Sequence, residues 1–187
     1  MAFNRIRGAV MISLQYKPGN ADAMKAYFEE LYSRVPFFLG RPFRPPQEIY
    51  YLSNAEIGAD RLYQAVHNLN MQVRFNAAAG VQQRFTIFGI HNQGLPVVIA
   101  GNSPSNTPLH EAIHYNGVHD ETLTRFLTSI YYRRAAFNVG LLRQPVKYEA
   151  VPVRSDELDG ILSELRLHRP PNANVELVHL RYVPPGG

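Results

Sequence analysis

Between Thr107 and His119 the chain carries a helix start, a pair of histidines four residues apart and a glycine stop. This stretch constrains the fold more than any other. Thr107 is a good N-cap and Pro108 suits the first helical position. On the helix that follows, His110 and His114 stack on one face, one turn above the other. Gly117 supplies a left-handed position at which such a helix ends. The fold must therefore hold a short helix whose two imidazoles point the same way.

A chain of 187 residues suits one domain with a substantial core. It reads as a single domain over 1–187, with a division into two subdomains, 1–117 and 118–187, around a cleft as the alternative. Only 18% of the residues are charged, so long disordered charge runs are not expected. No window approaches the roughly 18 apolar residues of a membrane span. Met11 to Leu14 is too short for the apolar core of a secretory signal, and Gln15 and Lys17 interrupt it. The expected location is therefore the cytoplasm, or outside the cell by a route without a cleaved signal. Oligomeric state is not legible.

Cysteine is absent, which excludes disulfides, thiolate catalysis and cysteine metal ligands. Any metal must be held by His, Asp or Glu. The net charge of +4 comes almost wholly from scattered arginines, with Arg133-Arg134 the only adjacent pair. A nucleic-acid groove usually shows clustering, so such a partner is disfavoured without being excluded.

Periodicity predicts an α+β fold, a mixed sheet with packed helices. Gly8 to Tyr16 reads as a strand and Ala21 to Arg34 as a helix with Ala23, Met24, Ala26, Tyr27 and Leu31 inward. Pro36 to Pro46 is Pro-, Phe- and Arg-rich and reads as an extended loop anchored by its aromatics. Glu48 to Leu52 is a short strand and Ala59 to Leu69 a helix. Met71 to Ala77, Gln82 to Ile90 and Leu95 to Ala100 read as strands. After the motif, Glu121 to Phe137 is a strong helix carrying Leu123, Phe126, Leu127, Ile130 and Tyr131. Val146 to Val153 is extended, Ser155 to Leu165 is helical, and Asn174 to Val183 is a closing strand. The part after the histidine helix is thus expected to be mainly helical.

The motif carries the chemistry. Imidazole nitrogens at positions 110 and 114 can reach one zinc ion at roughly 2.0–2.1 Å. Glu111 lies about 100° round the helix from His110. From there a carboxylate can hold a metal-bound water and take its proton. A turn at Gly117 lets His119 close a third ligand position and leaves a fourth open, as catalytic zinc requires. A carboxylate from a following helix is the alternative third ligand, with Asp120, Glu121 and Glu157 as candidates.

The run His110 to His119, H-E-x-x-H-x-x-G-x-H followed by Asp120, resembles the zinc signature H-E-x-x-H-x-x-G-x-x-H of metzincin metallopeptidases over about eleven residues, with the third histidine one position early. The resemblance implies Zn2+ held by His110, His114 and His119, with Glu111 as general base. It also implies a peptide or protein substrate paired with Leu95 to Ala100 as an edge strand. Tyr148 falls in the place of the tyrosine of the family's downstream turn and would stabilise the oxyanion. The expected function is thus a zinc endopeptidase.

Two other readings stand beside it. In one, Gly117 is only a C-cap, Asp120 caps the next helix, and the histidines belong to a non-enzymatic interaction or assembly domain. In the other, the chain is a small basic toxin or effector acting on nucleic acid or nucleotide. His67, His91, His168 and His179 each stand alone and read as satisfied or exposed side chains. In Tyr131-Tyr132-Arg133-Arg134, the spacing places Tyr131 in the core and the arginines on a solvated face.

Overall fold

The structure is a computed structural model that describes residues 21–53, 89–90, 96–100, 103–137, 143–154, 156–157, 160 and 176–186. Three long helices and a mixed sheet make up the described chain. The strand expected over Gly8 to Tyr16, the helix over Ala59 to Leu69, the strand over Met71 to Ala77 and most of that over Gln82 to Ile90 lie outside the described residues. So do most of the helix expected over Ser155 to Leu165 and the isolated His67, His91 and His168.

Helix α1 (Ala21–Ser33) buries Met24, Tyr27, Phe28, Leu31 and Tyr32, which recur at the three- and four-residue spacing of one helix face. The stripe lies further towards the aromatics than the alanines suggested, and Ala26 is exposed. Burying a Phe or Tyr ring removes far more apolar area from water than burying an alanine, so the rings decide the rotation of the helix.

The segment expected as an extended loop forms a small hairpin, β1 (Phe37–Phe38) with β2 (Arg41–Pro42). Leu39 at φ 49° and Gly40 at φ 75° provide the two positive-φ positions that a tight two-residue turn needs. Phe38 and Phe43 anchor the segment in the core.

The main sheet runs β4-β5-β3-β7-β6, four strands with a two-residue fifth at one edge. These are β3 (Glu48–Ser53), β4 (Gly89–Ile90), β5 (Val97–Ala100), β6 (Lys147–Val151) and β7 (Glu176–Val183). β3 is parallel to β5 and antiparallel to β7, and β7 is antiparallel to β6. Two expectations are corrected here. β5 is not an edge strand, because β4 pairs with its outer side at Ile99 and Val98. The chain after the histidine helix is not mainly helical, because it contributes β6 and β7 and ends in a strand. The closing strand expected over Asn174 to Val183 forms β7, with Leu177, His179 and Leu180 buried and Arg181 and Val183 exposed, while β6 has only one buried residue, Tyr148, within five.

Ile49, Tyr51, Val97, Ile99, Tyr148 and Leu180 form the core with α1 and with Leu109, Ala112 and Ile113 of helix α2 (Thr107–Tyr115). Phe28 meets Tyr51 edge-on at 6.3 Å and Tyr32 meets Phe43 at 5.6 Å. Helix α3 (Glu121–Phe137) packs on α2. It turns Thr124, Leu127, Thr128 and Ala135 inward and leaves Leu123 and Phe126 exposed. Tyr131 packs against the core, its hydroxyl accepting from the Leu39 N–H, while Arg133 and Arg134 face solvent.

A candidate metal centre between two helices

α2 begins one residue earlier than Thr107 as cap would allow. Asn106 is the N-cap, with no side-chain cap bond, and Pro108 lies within the first turn. The helix ends as its glycine dictates. Gly117 adopts φ 97°, its N–H donates to the His114 carbonyl, and the Val118 N–H reaches back to the Ile113 carbonyl at 3.3 Å. This paired closure satisfies two carbonyls left open by the helix end. The Asn116 amide bonds both the N–H and the carbonyl of Arg44, which fastens the aromatic segment to the end of α2.

The chain then turns directly into α3. Asp120 caps it, with Oδ1 accepting from the Leu123 N–H at 2.6 Å. Glu121, in the first turn, therefore projects back towards the imidazoles of α2.

Among the described residues, His110, His114 and Glu121 form one group that could hold a metal ion, with one ligand atom from each lying within 4.8 Å of the others. His110 Nε2 lies 3.5 Å from Glu121 Oε1, and His114 Nε2 lies 3.3 Å from Glu121 Oε2. Tetrahedral zinc with bonds near 2.05 Å separates its ligand atoms by about 3.3 Å. The two imidazoles stand edge to face, centroids 4.8 Å apart. Arg125 Nε donates to Glu121 Oε1 at 3.0 Å and steadies the carboxylate.

The far side of each ring has its own partner. His114 Nδ1 lies 2.6 Å from the Val118 carbonyl, so this nitrogen carries the hydrogen and donates it. Thr124 Oγ1 lies 3.4 Å from the same nitrogen. Thr128 Oγ1 lies 3.5 Å from His110 Nδ1, at the outer limit of a hydrogen bond. A neutral His114 with its hydrogen on Nδ1 presents a bare lone pair at Nε2 to an anionic carboxylate. Only a cation, a proton or a metal ion, makes that contact favourable.

Burial decides against the proton at His110. It holds this imidazole below its ordinary value of 6.5, outweighing the opposing charge of Glu121, while His114 and Arg125 push the same way as burial. Burial would raise Glu121, but His110, Arg125 and His114 together hold its carboxyl below the usual 4.5. At neutral pH the group therefore offers an ionised carboxylate beside a neutral His110. That donor set suits a borderline divalent ion such as zinc.

His119 is exposed in the connection between the helices and is not part of the group. Glu121 stands in the third position that spacing had assigned to His119. Glu111 is 6% exposed, on the core side of α2, close enough for its charge to act on Tyr32. Tyr148 is buried in β6, its hydroxyl donating to the Pro46 carbonyl at 2.9 Å. Asp120 is committed to its cap, and exposed Glu157 pairs with Arg154 at 2.8 Å. His179 stacks on Tyr50 at 4.6 Å, away from the group.

Thr124 and Thr128 escaped the sequence reading. Their signal was present in the spacing, since Glu121, Thr124 and Thr128 share one face of α3. Apolar periodicity does not mark that face, because threonine is not an apolar residue.

The arrangement resembles an H-E-x-x-H set completed by a helix-borne glutamate more than one completed by a third histidine. The chain also has no methionine after the motif. Comparison with protein families, with characterised proteins and with solved structures finds no match.

Proposed function

We propose that the protein is a zinc-dependent hydrolase acting on peptide bonds, with His110, His114 and Glu121 as ligands. One observation carries the reading: among the described residues, two imidazole Nε2 atoms and a carboxylate converge as three donors with no fourth beside them. Structural zinc is usually closed by four protein ligands, whereas catalytic zinc keeps one position for water or substrate. Glu121 is 45% exposed, so the centre is reached from solvent.

Zinc at such a site supplies Lewis-acid polarisation of a carbonyl and lowers the pKa of a water. Glu111 is assigned the proton-transfer role from its place beside His110 in the helix. In the buried setting of α2 its charge acts more strongly than it would in water. Arg125 holds Glu121 in place. The reading makes no use of Tyr148, whose hydroxyl is engaged by Pro46, and leaves His119 outside the ligand set.

A second reading, a metal that pins α2 to α3 without catalysis, is favoured by the burial of Glu111 on the core side. Glu111→Gln separates the two. In the zinc-loaded protein, hydrolysis of a mixed fluorogenic peptide library should fall about 100-fold or more, the usual worth of a positioned acid–base group. Zinc content should stay at one per chain. Equal hydrolysis by the variant would reject the role of Glu111, and absence of hydrolysis in the wild-type zinc protein would leave the pinning role.

A further inference from the structure

Helix α3 sends two buried hydroxyls towards the back of the histidine pair. Thr124 is fully buried and Thr128 is 2% exposed, and they occupy consecutive turns. Valine has the same shape and would fill such a place without any polar group to satisfy. Each hydroxyl hydrogen is already spent: Thr124 Oγ1 donates to the Asp120 carbonyl and Thr128 Oγ1 to the Thr124 carbonyl, both at 2.7 Å. Each oxygen therefore faces the imidazole as an acceptor. Thr128 Oγ1 stands 3.5 Å from His110 Nδ1, and Thr124 Oγ1 stands 3.4 Å from His114 Nδ1. His114 has a second acceptor in the Val118 carbonyl, which the Gly117 turn brings over the ring.

We infer that Thr128 and Thr124 are positioning residues that draw both histidines towards the Nδ1–H tautomer, which leaves their Nε2 lone pairs on the Glu121 side for a metal ion. The hydrogen-bond chains have one direction only. The Asp120 and Thr124 carbonyls cannot donate, so each hydroxyl points its hydrogen along the helix and its lone pair across to α2. An acceptor at Nδ1 draws the hydrogen onto that nitrogen, against the Glu121 carboxylate that competes for it at Nε2. The other nitrogen is then left free to bind a metal, an outer-partner arrangement known to orient metal-binding histidines. Thr128 carries the larger share of the effect, because among the described residues it is the acceptor facing His110 Nδ1, whereas His114 Nδ1 also has the Val118 carbonyl. The role for metal binding rests on the zinc reading above, but the tautomer assignment does not.

The experiment has two arms on wild type, Thr128→Val and Thr128→Ser. Long-range 1H–15N correlation of metal-free, histidine-labelled protein at pH 8 reads the tautomers directly. The share of His110 with its hydrogen on Nδ1 should be larger in wild type and Thr128→Ser than in Thr128→Val. Competition titration with zinc should show a loss of about 10–100-fold in affinity for Thr128→Val, recovered by Thr128→Ser. His110 protonated wholly on Nε2 in the wild type would overturn the inference, and this arm needs no variant to fold. Unchanged tautomer and affinity in a folded Thr128→Val would overturn it too. A wild type with the expected tautomers that takes up no zinc would refute the metal reading while the tautomer inference stands.

Discussion

At the residue scale the centre depends on protonation. His110 and His179 are both held below the ordinary histidine value, first by burial, with Glu48 opposing and Arg181 assisting at His179. The unfolded chain therefore binds more protons than the folded one between the depressed values and 6.5. Stability of the metal-free protein should be full above pH 6.5 and should fall as acid carries the solution through the depressed folded values. Glu121, held below 4.5, adds its own loss at lower pH. Denaturant midpoints measured between pH 8 and pH 5 check this, and a midpoint that rises on acidification would contradict it. His110 and His114 were legible from sequence because helical spacing alone puts them on one face. Glu121 was legible only as one of three alternatives, because the exit direction after Gly117 decides between it and His119. Spacing cannot supply that direction.

The elements show what sets it. The Gly117 closure and the Asp120 cap leave so short a connection that α3 folds back along α2, and the first-turn Glu121 arrives at the imidazoles. His119, between the two helices, is turned to solvent. Gly117 sits at φ 97° with open space where a Cβ would be, so the cost of a side chain there is backbone strain and not collision. Gly117→Ala should cost about 1–2 kcal/mol. It should also weaken zinc binding, because the Val118 carbonyl that orients His114 moves with the turn. Chemical denaturation and a zinc titration on the same variant check both effects. An unchanged affinity would mean that the turn does not position the ligand. The helix after the motif was plain in the sequence, but its rotation was not. Leu123 and Phe126 looked like core by spacing, yet they lie exposed, because α3 turns the threonine-bearing face to α2.

Across the whole molecule, the α+β class and the strands at β3, β5 and β7 follow from alternation and turn chemistry. The order β4-β5-β3-β7-β6 does not, since pairing β7 between β3 and β6 joins segments more than a hundred residues apart in sequence. The expectation of a helical C-terminal part failed for the same reason. Short strands such as β6 gain their burial from distant partners, here Tyr148 against Tyr32 and Tyr182. The candidate metal centre lies between α2, which packs on the sheet, and the more exposed α3. A bound ion should therefore stabilise the fold as a whole, by about 4 kcal/mol at a thousandfold excess over its dissociation constant. Calorimetric scans with and without zinc should show a rise in Tm that Glu121→Gln removes. A rise that persists in this variant would place the ion elsewhere.

The most direct test of the centre is elemental analysis of protein purified without a metal-affinity tag, dialysed to equilibrium against micromolar zinc. One zinc per wild-type chain, with stoichiometric uptake lost in His110→Ala, His114→Ala and Glu121→Gln, is the predicted result. A wild-type chain that takes up no zinc, or triad variants that retain one, would contradict the assignment of His110, His114 and Glu121 as its ligands.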